Sequence, residues 1–261
     1  MDNISLYEDI KARTGGEIYL GVVGPVRTGK STFIRRFMDL CVIPSILDPN
    51  EKKRIIDELP QAGVGKTVMT TEPKFIPKTG IEIPLSNNVK AKFRLIDCVG
   101  YIVDSAQGVY EDDKERLVKT PWFDENIPFS KAAQTGTEKV IRDHSTIGIV
   151  MTTDGSIGEF TRDDYISAEE KAIMELKKIK KPFIVIVNST FPASDFTRKI
   201  ANEISEKYEV TALPMDCENL NKEDVNKTVS AKSKILTLLT RFFCMKEEFD
   251  FESIKNKAIE Q

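Results

Sequence analysis

Gly24-Pro25-Val26-Arg27-Thr28-Gly29-Lys30-Ser31 fits the pattern G-x-x-x-x-G-K-[ST], a Walker A phosphate loop, without a mismatch. Chemistry needs each of these types. Two glycines let the backbone curl until successive N–H groups point at phosphate oxygens. Lys30 sets a cation between the β- and γ-phosphates, and the Ser31 hydroxyl is a ligand for Mg²⁺. Thr32 extends the string. The apolar run 18–23 reads as a buried strand and 31–40 as a helix. The nucleotide-binding candidates Gly24, Pro25, Val26, Arg27, Thr28, Gly29, Lys30, Ser31 and Thr32 are therefore expected at one strand-to-helix turn.

A second acidic element lies downstream. Arg94-Leu95-Ile96-Asp97 is an apolar strand ending in a carboxylate, which in phosphate-loop proteins sits near Mg²⁺, usually through a water. Asp97 and Gly100 also make a D-x-x-G spacing, which places the Gly100 N–H toward the γ-phosphate. Between the two motifs runs Lys66-Thr67-Val68-Met69-Thr70-Thr71-Glu72-Pro73. One of its threonines, Thr70 or Thr71, is expected to complete the Mg²⁺ shell while the γ-phosphate is present, and both stand as candidates. Gly65-Lys66-Thr67 looks like a further phosphate loop but fails, because Pro60 occupies the place of its first glycine.

The base-reading motif is altered. Guanine is read by N-K-x-D, whose aspartate accepts from N1–H and the N2 amine. Here the stretch is Asn188-Ser189-Thr190-Phe191. Asn188 and Ser189 remain nucleotide-binding candidates, but a phenylalanine accepts no hydrogen bond, so ATP, or weak base selectivity, is expected. Tyr101 follows Gly100 where many switch GTPases carry a water-positioning glutamine. Arg27 offers catalytic charge instead. Its string resembles that of guanylate-binding proteins and atlastins, where the loop arginine is a finger in cis. The other reading is an arginine paired with an acidic neighbour. The catalytic set is thus Lys30, Arg27 and Asp97 with Thr70 and Thr71. The metal set is Ser31, Asp97 and the same two threonines.

The elements that must hold these residues alternate along 261 residues, 40% of them hydrophobic. Strands are expected at 74–84, 89–97, 146–152, 182–188 and 210–215. Helices are expected at 51–59, 135–143, 168–180 and 195–208. A turn at 86–88 makes 74–84 and 89–97 an antiparallel pair. The region 101–136 reads as an insertion, mostly loop with some local structure. The result is an α/β phosphate-loop NTPase of the translation-factor GTPase-like type: a mostly parallel six-stranded sheet flanked by helices, with one antiparallel strand. Residues 1–218 form the ATPase domain and 219–261 a charged helical segment, where Ser230-Ala231-Lys232 matches the fifth GTPase motif but in the wrong place. Asp216-Cys217-Glu218 is the better-placed loop.

Composition excludes other classes. Lys plus Arg is 38 against 41 Asp plus Glu, net −3, so no basic field invites nucleic acid. Cys41, Cys98, Cys217 and Cys244 form no C-x-x-C pair, and His144 makes no zinc spacing with them. No secretion signal is read at the start, and no apolar run reaches the roughly 18 residues that cross a bilayer. A cytoplasmic setting with reduced thiols is expected.

Together these strings resemble the ATPase domain of the stage IV sporulation protein A family, spore-coat morphogenetic ATPases of endospore-forming Firmicutes. The resemblance rests on the residues from Arg13 to Gly24 with the loop Arg27–Thr32. It continues in Met69-Thr70-Thr71-Glu72-Pro73-Lys74-Phe75, Asp97-Cys98-Val99-Gly100-Tyr101 and Thr120-Pro121-Trp122. Further matches are His144-Ser145-Thr146-Ile147-Gly148, Thr152-Thr153-Asp154-Gly155, and Lys181-Pro182-Phe183-Ile184 through Asn188-Ser189. It implies ATP hydrolysis with Mg²⁺ and self-association as the coat's basement layer, on the mother-cell side of the forespore surface. It further implies contacts with coat proteins and the forespore membrane through middle and C-terminal domains absent from this chain.

Overall fold

The runs with the most uninterrupted apolar character become the interior strands. Ile147–Thr153 and Phe183–Asn188 are buried at every position, the signature of parallel strands covered on both faces. The structure, a computed structural model, describes residues 17–60, 72–86, 89–103, 106, 109–111, 114–158 and 160–220. Its elements in chain order are β1 (Glu17–Val23), α1 (Lys30–Phe37), α2 (Pro49–Glu58), β2 (Lys74–Ser86) and β3 (Val89–Asp97). Two small hairpins follow, β4 (Tyr110–Glu111) with β5 (Lys114–Glu115), and β6 (Leu117–Thr120) with β7 (Phe123–Pro128). Then come α3 (Phe129–Lys139), β8 (Ile147–Thr153), α4 (Arg162–Lys178), β9 (Phe183–Asn188), α5 (Asp195–Tyr208) and β10 (Ala212–Met215).

The main sheet has six strands in the order β10-β9-β8-β1-β3-β2. All neighbours are parallel except β2 and β3, which pair antiparallel as their short join requires. The expected mostly parallel sheet with one antiparallel strand is what the chain forms. The chain leaves β1 toward β3 on one side and returns to β8 on the other, so β1 is a topological switch point. In open α/β sheets the crevice outside the carboxyl ends of the strands at that point receives ligands. α1 packs against β1 and β3, α4 against β8, and α5 against β9 and β10. Val22, Leu95, Ile147, Val150 and the run Ile184–Val187 form the dry centre between these layers.

The insertion is more ordered than its composition indicates. It carries both hairpins, and the helix expected over 135–143 starts earlier, at Phe129, continuing as a π-turn over Val140–His144. Phe129, Ala132 and Ala133 are fully buried, so packing overrides the loop-like prolines and acids before them. α4 likewise starts before the expected Ala168, at Arg162, because Thr161 and Asp164 form a reciprocal capping box. Among the described residues no helix is long and apolar enough to cross a membrane. Residues 61–71 and 221–261, with Thr70, Thr71 and Ser230-Ala231-Lys232, lie outside the described residues.

A buried ion pair within α4 is bonded to the end of β8 through Thr152. Arg162 donates through Nη1 and Nη2 to Glu169 at 2.6 and 3.0 Å, and the Thr152 hydroxyl donates to the same carboxylate at 2.6 Å. Breaking such a pair strands a charge, so Glu169→Ala is expected to cost about 3–5 kcal/mol of stability. Urea denaturation of the variant reads this as a lower midpoint; an unchanged midpoint shows the pair to be dispensable.

Candidate functional site

β1 ends at Val23 and α1 begins at Lys30, so the glycine loop spans the strand-to-helix turn that its motif requires. Gly29 caps α1 with φ 86°, and no side chain caps the helix or places an acid in its first turn. The first N–H groups thus keep the positive end of the helix for an anion. Gly29 also has no room for a side chain, because the Asn188 amide nitrogen occupies the place of its Cβ. Val26 and Thr28 are buried, and the Thr28 hydroxyl donates to the Pro25 carbonyl at 3.0 Å. Ser31 and Thr32 are half-buried in the first turn of α1.

Lys30 lies inside the turn, 5% exposed, its Nζ donating to the Pro25 carbonyl at 2.5 Å. Burial pulls its pKa below the ordinary lysine value, opposed by Cys98 and Asp97. Asp97 closes the other side. Its Oδ2 accepts from the Ser31 hydroxyl at 2.8 Å, while Oδ1 is buried without a partner. Burial raises its pKa, against the Ser31 bond and the nearby Lys30 charge. Gly100, at φ 97°, packs so tightly here that a Cβ would stand 2.6 Å from Lys30 Nζ. Lys30 and Ser31 at the start of α1 are thus brought together with Asp97 at the end of β3 and Gly100 just after it. A hydroxyl and a carboxylate with one unused oxygen are the hard donors Mg²⁺ takes, so the residues fit that ion.

Tyr101 binds the loop through its backbone. Its N–H donates to the Gly24 carbonyl at 3.0 Å, and its carbonyl accepts from Val26 N–H at 2.9 Å. Its side chain turns away into the protein, 4% exposed, with the hydroxyl unpartnered and its pKa raised chiefly by burial. The ring lines a cavity of about 380 Å³ with Val103, Val109, Glu115 and Gln134.

Arg27 has φ 65°, a left-handed conformation that costs a non-glycine residue of order 1 kcal/mol or more and collects at functional sites. It is half-buried, Nη2 has no hydrogen-bond partner, and it joins no ion pair among the described residues. The pairing with an acidic neighbour is thus not found. Its carbonyl lies beside Gly158, near the unpartnered hydroxyl of the buried Tyr165.

On the other side of the loop, Asn188 Nδ2 donates to the Thr28 carbonyl at 3.1 Å and Oδ1 accepts from Cys217 N–H at 3.1 Å. The ends of β9 and β10 are therefore bonded to the phosphate loop. Ser189 is fully buried and within 3.2 Å of the Thr197 hydroxyl. Sequence reasoning missed the residue that organises this corner. Asp154 Oδ1 accepts from Ser156 N–H and Oγ at 2.9 and 2.6 Å, and Oδ2 accepts from Thr197 Oγ1 at 2.6 Å. Burial alone would raise its pKa, but hydrogen bonds from Ser156, Ser189 and Thr197 hold it below the usual carboxylate value. The available signal was local: Asp-Gly-Ser after an apolar strand is a turn in which the aspartate bonds its own backbone two residues on.

Residues 1–237 match the family model described as "Stage IV sporulation protein A, ATPase domain". The chain is 53% identical over 229 residues to stage IV sporulation protein A of Clostridioides difficile (strain 630), covering 88% of this chain and 47% of that protein. It is 50% identical over 225 residues to the protein of the same name from Bacillus subtilis (strain 168), covering 86% of this chain and 46% of that one. The chain thus spans about half the length of the curated relatives it matches. A solved crystal structure of an SsGBP mutation variant is similar at 14% identity and a TM-score of 0.47, covering 94% of this chain and 62% of that one.

Proposed function

The chain belongs to the family of the stage IV sporulation protein A ATPase domain, and from that premise we propose that it binds ATP with Mg²⁺ and hydrolyses it to drive a conformational change and self-assembly. The observation that carries this reading is Asp97, bonded to Ser31 through one oxygen and carrying a second, buried oxygen without a partner beside the Lys30 ammonium. A carboxylate is not left so unless something polar completes it.

In this reading the N–H groups of Gly24 to Ser31 and the Lys30 charge orient the triphosphate. Ser31 and Asp97 would hold Mg²⁺, with Thr70 or Thr71 completing the shell, and the ion would supply positive charge to the triphosphate. Water attacks the γ-phosphorus as its bond to the β–γ bridging oxygen breaks, giving ADP and phosphate. Gly100 N–H faces the γ-phosphate, and Arg27 takes up charge growing on the bridging oxygen. Self-association, and contacts with coat proteins or the forespore membrane, follow the family.

A second reading, a nucleotide-dependent scaffold that turns over little, draws on Tyr101. Its buried ring leaves no side chain at the position from which switch GTPases orient water. Hydrolysis of ATP and GTP measured side by side, on the wild type and Asp97→Asn, separates them. The ATPase reading expects release of phosphate from ATP in preference to GTP, with Asp97→Asn retaining much of the binding and losing turnover. Faster GTP hydrolysis overturns the nucleotide assignment, and wild-type turnover in Asp97→Asn reduces that residue to a strand end.

A further inference from the structure

We propose that Phe191 is the base-contacting residue of this site, an apolar platform against which the purine ring of the nucleotide packs. The inference rests on the nucleotide-site reading above. Lys30, Asp97 and Gly100 place the β- and γ-phosphates toward β3, so the nucleoside leads away on the other side of β1, toward the ends of β9 and β10. There the loop after β9 is joined to the phosphate loop by the Asn188 bond to the Thr28 carbonyl. Phe191 stands three residues beyond Asn188, in a loop whose backbone is fixed while its ring is free. Its N–H donates to Ser189 Oγ at 2.9 Å, and its carbonyl accepts from Ser194 N–H at 2.9 Å. Pro192 follows and restricts the backbone further. Yet the side chain is 70% exposed. A large aromatic held out to solvent on a rigid backbone loses little freedom when a ring covers it.

Two carboxylates of the neighbouring loops are already engaged. Asp154 is committed to Ser156 and Thr197. Asp216, after β10, accepts from Glu218 and Asn219 backbone N–H and from the Asn219 amide. A phenyl ring supplies no acceptor for guanine's N1–H and N2 amine, so the contact that would favour guanine over adenine is missing at this position. Base packing on an aromatic gives affinity without needing that acceptor.

The test is calorimetric titration of the full chain with ATP, GTP and inorganic tripolyphosphate, each with Mg²⁺, for the wild type, Phe191→Ala and Phe191→Trp. Phe191→Ala is expected to weaken ATP about fivefold to a hundredfold, the span of base stacking on an aromatic, with tripolyphosphate unchanged. Phe191→Trp retains ATP affinity. ATP binding unchanged in Phe191→Ala overturns the proposal, including the case in which that variant weakens self-association alone. Equal loss for ATP and tripolyphosphate also overturns it, since the residue then acts on the phosphate loop. Tripolyphosphate binding that survives Lys30→Ala instead overturns the nucleotide site itself, whatever Phe191 does.

Discussion

Lys30→Ala is expected to weaken ATP binding by about a hundredfold or more, the scale of losing the charge-assisted bonds that an ammonium makes to phosphate. Lys30 is folded into the glycine turn, and among the described residues its ammonium donates to the Pro25 carbonyl. That bond is a resting place rather than a need, since burial already pulls the lysine below its ordinary pKa. A group with a depressed lysine pKa destabilises the fold while charged, so removing the charge releases that cost. Lys30→Met, which keeps the buried stem, is therefore expected to hold or raise the melting temperature while losing nucleotide. Fluorescence titration of both variants checks the affinity, and thermal unfolding checks the fold. Nucleotide affinity equal to wild type in a folded Lys30→Met would remove the phosphate-loop assignment.

Arg27→Ala is expected to lower turnover far more than binding. Fingers in related sites supply on the order of 10³-fold or more, so even a partial role exceeds about tenfold. Charge stabilisation made only in the transition state appears in kcat, not in ground-state affinity. The free side chain is consistent with this: one guanidinium nitrogen is buried and unpartnered, on a backbone held at φ 65°. Arg27→Lys rescues poorly, because an ammonium lacks the planar fork that spans two oxygens. Single-turnover hydrolysis across a protein dilution series distinguishes a finger from a residue that pairs an acid across a subunit contact. A concentration-independent rate equal to wild type in Arg27→Ala rules the finger out.

What was legible in the sequence was whatever is encoded locally. The phosphate loop is a run of backbone requirements, and backbone requirements are written in residue types: glycine where φ is positive, an apolar run where a strand is buried on both faces. Asp97 was legible for the same reason, as a charge ending an apolar strand. The convergence of Lys30, Ser31, Asp97 and Gly100 follows from β1 and β3 lying side by side, which the sheet order and not the local sequence shows. Asp154 was legible only as a turn residue, because its wider role comes from Thr197, which a strand, a helix and three loops separate from it in the chain. The insertion misled for a related reason. Its prolines and acids are loop chemistry, but α3 is held by the burial of Phe129 and Ala132, which composition does not reveal. Arg27 was ambiguous in sequence because an arginine's partner is a tertiary fact.

The two hydrogen bonds between Tyr101 and the phosphate loop run through main-chain atoms alone. Such a linkage is blind to side-chain identity. A substitution at position 101 therefore acts on the packing of a buried ring and leaves in place the main-chain tie between the segment after Asp97 and the Gly24–Val26 turn. How that segment is fastened and what the side chain at 101 contributes are thus separable by substitution.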